Sequence, residues 1–461
     1  MTPADAREFE FDVIVIGAGP AGEVCAGRLR DSGLTVAIVE GHLVGGECSF
    51  YGCMPSKALL RPAEALAEAR RIPGAAEAIT GQLDVDAVLR RRNEVVHDLD
   101  DSANVPWLDQ RGAVVVRGHA RLTGERAVEV DGMRLEATRA VVLAVGSEPA
   151  LPPIPGLAEA TPWTNREGTT SNEVPERLIV LGGGVVGVEL GQAWSTLGSQ
   201  VTIVEALPRL LAREERFASQ QVHDALLERG IDVRVGVPAT RVFRNGSVTV
   251  TLESGDDLVA DELLVAVGRR PATRDLGLET VGLESGTFVA VDESLRVQGT
   301  DWLYAIGDVN GRALLTHMGK YHGRIAADTI AGRGATIDPL ADGLYVPRVV
   351  FTDPQVAAVG HTLESARAAG INARPADHPT GAVAGGSFYG RLAPGTSRLV
   401  IDDDRRVLVG ATFTGPDVAE FVHAATIAIV GEVRLERLWH AVPSFPTRSE
   451  VWLRLLESYG L

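Results

Sequence analysis

An α/β chain with two Rossmann-like dinucleotide-binding domains is predicted by two glycine signatures, by what flanks each, and by length. The first signature is Asp12-Val-Ile-Val-Ile-Gly17-Ala-Gly19-Pro-Ala-Gly22, with a helix to about Asp31 and an apolar strand at 35–40 behind it. The second is Arg177-Leu-Ile-Val-Leu-Gly182-Gly-Gly184-Val-Val-Gly187, with a helix to about Leu197 and a strand at 200–205. A chain of 461 residues has room for about three domains at roughly 150 residues each.

Each element has a physical reason. Runs rich in Val and Ile are the pattern of parallel strands buried on both faces. The first glycine of each signature permits a tight turn, the second lets a pyrophosphate approach the backbone, and the third allows close helix–strand packing. Amides at the helix N-terminus then face the phosphates. An acid, Glu40 or Glu205, ends the next strand about 20 residues on, where it meets ribose hydroxyls. A glycine-rich turn that binds nothing is the plainer alternative, and two complete copies argue against it. Two units mean two dinucleotides, a flavin paired with a nicotinamide.

Turn chemistry marks the boundaries. Residues 149–156, Pro-Ala-Leu-Pro-Pro-Ile-Pro-Gly, form a stiff connector. Arg269-Arg-Pro271 closes the second unit after a strand at 263–267. Residues 339–343 precede strands expected at 345–351, 398–401 and 407–413, then helices at roughly 417–429 and 449–457.

Composition narrows the function classes. Hydrophobic residues make up 45% and charged ones 23%, a balance that supports buried cores and excludes disorder. The net charge of -17 repels phosphate backbones and anionic lipid, so no nucleic acid and no membrane partner is expected. Met1 to Phe11 carries acids and no long apolar stretch, unlike a secretory signal. No apolar run approaches the ~18 residues of a membrane span. A cytoplasmic protein is expected.

Three cysteines, Cys25, Cys48 and Cys53, are too few for a secreted disulfide framework. Cys25 falls inside the first helix, where a small buried hydrophobe belongs. The other two lie in Gly45-Gly-Glu-Cys48-Ser-Phe-Tyr-Gly-Cys53-Met-Pro-Ser-Lys57. Thiols at this spacing meet as a disulfide if a helical turn or tight loop brings their Cα atoms within ~7 Å. Chance proximity and a metal fragment are the alternatives, but the second Cys/His pair of a structural zinc site is missing, and no metal is expected. A helix in progress or just starting at Pro55 places a thiolate by a helix N-terminus and by the Lys57 ammonium. Of the 44 basic residues only Lys57 and Lys320 are lysines, so a lysine that stands against the arginine bias points to a need for a compact ammonium. Lys320 receives no role beyond capping or solvation.

Taken together these residues resemble the class I flavoprotein (pyridine nucleotide-disulfide) oxidoreductases, the group of dihydrolipoamide dehydrogenase, glutathione reductase and mercuric reductase. The likeness spans nearly the whole chain. Besides the motifs above it includes Ala144-Val-Gly146-Ser147, Val267-Gly268-Arg-Arg-Pro271, Leu303-Tyr-Ala-Ile-Gly307-Asp308, and Val346-Pro-Arg-Val-Val-Phe-Thr-Asp-Pro354, which resembles the opening of a dimer-interface domain.

The resemblance implies an FAD-binding domain at 1–150, an NAD(P)-binding domain at 151–272, a central segment at 273–343 completing the FAD site, and an α+β C-terminal dimerisation domain at 344–461. It implies FAD held by Gly17, Gly19, Gly22, Glu40, Lys57, Ala120, Gly146, Ser147, Asp308, Leu315 and His317. The nicotinamide cofactor would take Gly182, Gly184, Gly187, Glu189, Glu205, Val237 and Gly268. An acid at Glu205 favours NADH over NADPH. Glu189 would pair with Lys57, whose ammonium would stabilise charge on the flavin. Cys53 would be the thiol against the flavin, and Cys48 the interchange thiol that attacks substrate.

One departure stands out. The family's dithiol-handling members carry a His-Pro-Thr-x-Ser-Glu run near the C-terminus, supplied by the other subunit. This chain reads His440-Ala-Val-Pro-Ser-Phe445-Pro-Thr-Arg-Ser-Glu450, with phenylalanine at the histidine position. Phenylalanine moves no proton, so the interchange thiol lacks that base unless His440 substitutes. Three readings follow. The first is a homodimeric NADH-dependent reductase or dehydrogenase of a thiol/disulfide substrate, resembling dihydrolipoamide dehydrogenase. The second is an NAD(P)H:quinone-type (diaphorase) enzyme for a planar electron acceptor, with an aromatic wall at Phe445 and the disulfide as relay or vestige. The third is a non-catalytic docking flavoprotein.

Overall fold

The computed structural model describes residues 9–390 and 395–461. The first eight residues of the N-terminal stretch read above for targeting lie outside that description. By packing, the described chain falls into two compact units. One holds the residues up to Pro55, Asn93–Ala150 and Arg269–Gly343; the other holds Ser56–Arg92, Leu151–Gly268 and Leu344–Leu461.

The first unit is built on a seven-stranded sheet. Phe9–Ile16 lies at its centre, parallel to Val36–Glu40 on one side and to Met133–Leu143 on the other. Val114–Arg117 extends it beyond Val36–Glu40, and Leu303–Ala305 pairs with Met133–Leu143, both in parallel. Val13, Ile14 and Val15 are wholly buried, which is why the central strand reads as an unbroken apolar run rather than an alternating one. The helix Pro20–Asp31 leaves this strand through the glycine turn. A second helix, Thr316–Ile330, packs against it at Gly319 and Gly323. A Cβ on Gly323 would lie 2.6 Å from the Ala21 carbonyl oxygen, so only glycine allows this approach.

The second unit carries a four-stranded parallel sheet in the order Asp232–Val235, Gln200–Glu205, Arg177–Leu181, Glu262–Val265. The helix Val185–Thr196 follows its glycine turn. Trp194 is fully buried against this sheet, its indole N–H donating 3.0 Å to the Gly168 carbonyl. A three-stranded antiparallel sheet, Ala239–Asn245, Ser247–Leu252 and Asp257–Ala260, is inserted before the last parallel strand. Arg269–Pro271, expected to close this unit, instead pairs antiparallel with Ser147–Pro149 within the first.

The C-terminal part of the second unit is α+β. Five antiparallel strands run in the order Arg348–Val350, Gln355–Gly360, Val407–Gly415, Thr396–Asp402, Ala373–Pro379. The helices Phe421–Val430 and Val451–Tyr459 contribute to its core. Three strands and both helices fall near their expected places. Gln355–Gly360 and Ala373–Pro379 carried no strand signal in the sequence. The second of them contains Pro375 and lies at the sheet edge, the position where proline is tolerated in a ladder. Among the described residues no helix is long and apolar enough to cross a membrane.

The glycine turn of the second unit admits a direct check. A Cβ on Gly187 would sit 1.9 Å from the Gly182 carbonyl oxygen. Gly187→Ala is expected to cost about 3 kcal/mol by forcing the helix off the sheet, measurable as a fall in the chemical-denaturation midpoint. An unchanged midpoint would contradict this packing.

Candidate active site

The two cradles share one construction. In the first unit Gly17 has φ +103°, and a Cβ on it would lie 2.5 Å from the Ala144 carbonyl oxygen. A Cβ on Gly22 would lie 2.0 Å from the Gly17 carbonyl oxygen. Gly19 differs: its nearest neighbour is 4.0 Å away, so a side chain there would fill open space over the turn, the path a pyrophosphate takes. Glu40 is oriented by two backbone donors, Ala18 N at 2.8 Å and His42 N at 2.7 Å. In the second unit Gly184 likewise has nothing within 4 Å of a built Cβ. Glu205 accepts from Gly183 N at 2.6 Å and Leu207 N at 2.7 Å. Val237 donates its N–H to the Glu205 carbonyl at 3.2 Å. Both carboxylates keep lone pairs for ribose hydroxyls, and both turns fit a dinucleotide.

The rest of the expected flavin set lies in the first unit, apart from Lys57. Asp308, on the turn Gly307–Asn310, accepts from Ser147 Oγ at 2.6 Å. Arg269 Nε donates to that same Ser147 oxygen at 2.7 Å, and its guanidinium also stands 3.7 Å from Glu47. Burial raises the Asp308 carboxyl above its ordinary range, opposed by the Ser147 hydrogen bond and the Arg269 charge, while Glu47 adds to the rise. Sequence reasoning singled out Asp308 and Ser147 but not Arg269, which it treated as a boundary residue. Leu315 precedes the helix Thr316–Ile330, His317 is exposed in its first turn, Gly146 adopts φ +71°, and Ala120 opens the strand Ala120–Gly124.

The two close cysteines, both within the first unit, sit on consecutive helices. Cys48 lies in the one-turn helix Gly46–Phe50, and Cys53 is the first residue of Cys53–Arg71, so the helix is already in progress at Pro55. Both are thiols here rather than a disulfide. Cys53 Sγ is 3.3 Å from Thr316 Oγ1. The Cys48 thiol is held above its ordinary range, first by its hydrogen bond to Cys53, then by burial and by charge on Cys53. Thr316 and Lys320 pull it the other way. Cys53 stands at the N-terminus of a long helix, a position that favours a thiolate. Cys25 is different: fully buried, its thiol is pushed up to about 12 by burial, a core residue as expected.

In the second unit Lys57 Nζ donates to Glu189 Oε2 at 2.7 Å and stands 4.7 Å over the Phe351 ring. Glu189 is 3% exposed and also accepts from Phe351 N at 2.9 Å. The expected pairing is thus present. Further along this unit, Phe445 is 77% exposed and Glu450 is buried. Glu450 accepts from Arg454 Nη2 at 2.7 Å and Ala384 N at 3.3 Å. His440 lies exposed on the turn after Leu435–Leu438.

Two dinucleotide cradles and a dithiol beside the flavin-type one define a flavoprotein oxidoreductase. Comparison with known proteins agrees. Residues 11–324 match the family described as pyridine nucleotide-disulphide oxidoreductase, and residues 346–455 match its dimerisation domain. The chain is 35% identical over 459 residues to a dihydrolipoyl dehydrogenase of Thermus scotoductus, covering 97% of each. It is 30% identical over 451 residues to a mercuric reductase of Staphylococcus aureus, covering 96% of this chain and 81% of that one. The solved structure of the HOCl-induced flavoprotein disulfide reductase RclA from Escherichia coli superposes with a TM-score of 0.84 at 27% identity, over 97% of this chain and 99% of that one.

The chain belongs to the pyridine nucleotide-disulphide oxidoreductase family. It is an enzyme that uses FAD and a pyridine nucleotide, and it carries the family's dimerisation domain.

The Lys57–Glu189 pair yields a stability prediction. Lys57→Met leaves a buried carboxylate with Phe351 N as its remaining donor among the contacts described above. The variant is expected to lose about 3 kcal/mol, while Lys57→Met/Glu189→Leu recovers most of that loss. Equal stability of the single and double variants would show that the pair carries no coupling.

Proposed function

We propose that the protein is a homodimeric, NADH-dependent reductase or dehydrogenase of a thiol/disulfide substrate in the cytoplasm, working through the Cys48–Cys53 couple. The observation that carries this is the dithiol itself: Cys48 and Cys53 on consecutive helices, with Thr316 Oγ1 3.3 Å from Cys53 Sγ. FAD when bound supplies the two-electron link between pyridine nucleotide and this couple. Gly17, Gly19, Gly22 and Glu40 hold its adenosine half, and Asp308, positioned by Ser147 and Arg269, takes its polyol chain. Ala120, Gly146, Leu315 and His317 complete the pocket. Gly182, Gly184, Gly187, Glu205, Val237 and Gly268 take the nicotinamide cofactor. Lys57, held by Glu189, presents the ammonium. Cys48 exchanges with substrate, and Cys53 holds the resolving charge. The corresponding division of the chain is 1–150, 151–272, 273–343 and 344–461.

Preference for NADH rests on charge. Glu205 is fixed at the strand end, and Arg209, the next basic residue along, is spent on the carbonyls of Leu211, Ala212 and Glu214 at 2.6–3.4 Å. A 2′-phosphate would meet the Glu205 carboxylate, with Arg209 turned onto those carbonyls. We expect kcat/KM for NADH to exceed that for NADPH by about a hundredfold, and Glu205→Ser to narrow the ratio. Equal rates with the two cofactors in the unaltered enzyme would refute the preference.

Phe445 occupies the place of the family's histidine in this reading. The relatives named dihydrolipoyl dehydrogenase weigh toward dithiol chemistry, and the quinone-type alternative is not favoured. Phe445→His is expected to raise dihydrolipoamide turnover at least ~10-fold by restoring a base; no gain would remove that assignment. Anaerobic titration tests the couple itself. The holoenzyme should take up two electron pairs from NADH and Cys53→Ser only one; uptake unaffected by that substitution would sink the proposal.

A further inference from the structure

The helix Thr316–Ile330 carries a histidine for which the site described above has no use. His322 is wholly buried. Its Nδ1 accepts from Gly307 N at 3.2 Å. A backbone N–H only donates, so Nδ1 is the unprotonated nitrogen and the neutral ring carries its proton on Nε2. The second neighbour of Nδ1 agrees, since Asn310 Nδ2 stands 3.4 Å from it. That amide is oriented independently. It donates to the Ala305 carbonyl at 3.1 Å, and its Oδ1 accepts from Arg312 N at 3.0 Å. One ring nitrogen therefore gathers donors from both ends of the turn Gly307–Asn310.

The turn has little room to shift toward another acceptor. Gly307 adopts φ +73°, and a Cβ on it would lie 3.3 Å from Ala21 Cβ and 3.7 Å from Gly319 Cα. Asp308 is the next residue, and its carboxylate accepts from Ser147 Oγ at 2.6 Å. Asp308 is thus fixed from two sides: its side chain by Ser147, its backbone by the ring.

We propose that His322 is a positioning residue for the flavin: its neutral imidazole holds the Gly307 amide, and through it Asp308, in place for the polyol chain, and protonation of the ring frees the turn and speeds flavin release. The inference rests on the reading of Asp308 as the polyol ligand.

The surroundings resist a charged ring. Burial takes the imidazole from 6.5 to about 4, with Asp342 opposing that fall and Arg312 adding to it. Arg312 Nε donates to Asp342 at 2.8 Å, so the carboxylate that would favour an imidazolium is already paired. The packed helix Pro20–Asp31 brings Glu23, raised to about 7 by burial, and Arg28, which donates to Asp328 at 2.7 Å. The Tyr321 ring lies 6.4 Å from the imidazole, centre to centre. A proton taken from solvent onto Nδ1 would set N–H against N–H and leave the buried Gly307 donor unpaired. The sign follows. Above 6.5 the ring is neutral whether the turn is held or loosened. As the pH falls from there toward about 4, the loosened turn gains a proton that the held turn refuses, and release is favoured.

The test is flavin release from the diluted holoenzyme, followed by the recovery of FAD fluorescence between about pH 5 and 8, with far-UV circular dichroism as the folding control. Release from the unaltered enzyme is expected to quicken about tenfold from pH 7 to 5. His322→Asn keeps an acceptor one bond from Cγ but does not titrate. It should hold flavin at pH 8 and lose most of that acceleration. His322→Leu should release flavin about tenfold faster at pH 8. Glu23 and Asp308 titrate in His322→Asn as in the unaltered enzyme, so the difference between the two profiles reports the ring. If His322→Asn keeps the full acceleration, the proposal falls, and this comparison stands even where His322→Leu fails to fold. Asp308→Ala separates the underlying reading. If it holds flavin as tightly as the unaltered enzyme at pH 8, Asp308 is not the polyol ligand. If it loses flavin while His322→Leu and His322→Asn match the unaltered enzyme throughout, Asp308 keeps its role and His322 has none.

Discussion

The construction of both cofactor cradles depends on one steric constraint. The carbonyl oxygens of Gly17 and Gly182 occupy the positions where a Cβ on Gly22 and on Gly187 would have to go. This contact brings each helix down onto its own sheet. It also fixes the turn so that Gly19 and Gly184 open onto free space, and so that Ala18 N and Gly183 N reach the carboxylates at the next strand end. Phosphate path and ribose ligand are therefore set together by backbone geometry, not by separate side chains. The motif is costly to alter because one added methyl group displaces the helix, the turn and the acid at once.

Within this frame the dithiol is governed by electrostatics. Two thiols in contact cannot both ionise easily, and the N-terminus of the helix Cys53–Arg71 favours charge on its own sulfur. Cys48 keeps the proton. Such an arrangement is stable as a store of two electrons, yet it holds the Cys48 thiol in its less reactive, protonated form. The surroundings must then supply whatever favours the second anion. A histidine does this by accepting the proton; an ammonium does it by charge alone, without needing contact.

Much of this was legible in the sequence because its signals are local. The glycine spacing, the buried Val/Ile runs and the acids at the strand ends each encode geometry within about 25 residues, and Lys57 announced itself as an exception to the arginine bias. What escaped was long-range or masked. Arg269 reads as a linker arginine, and only its pairing across the strand Ser147–Pro149 shows that it supports Asp308. The strand Ala373–Pro379 hid behind its prolines, since edge placement, which excuses them, is a property of the finished sheet.

The C-terminal run shows how a buried carboxylate finds its donors within the chain. With Phe445 at the histidine position, as proposed, Glu450 has no imidazole to orient. A buried carboxylate without donors would be expensive, and the structure does not leave it so. Arg454, one turn later on the same helical run, and the Ala384 amide satisfy it, with the acid N-terminal to the base in the favourable order. Glu450 is thereby tied to its own helix and to the segment around Ala384.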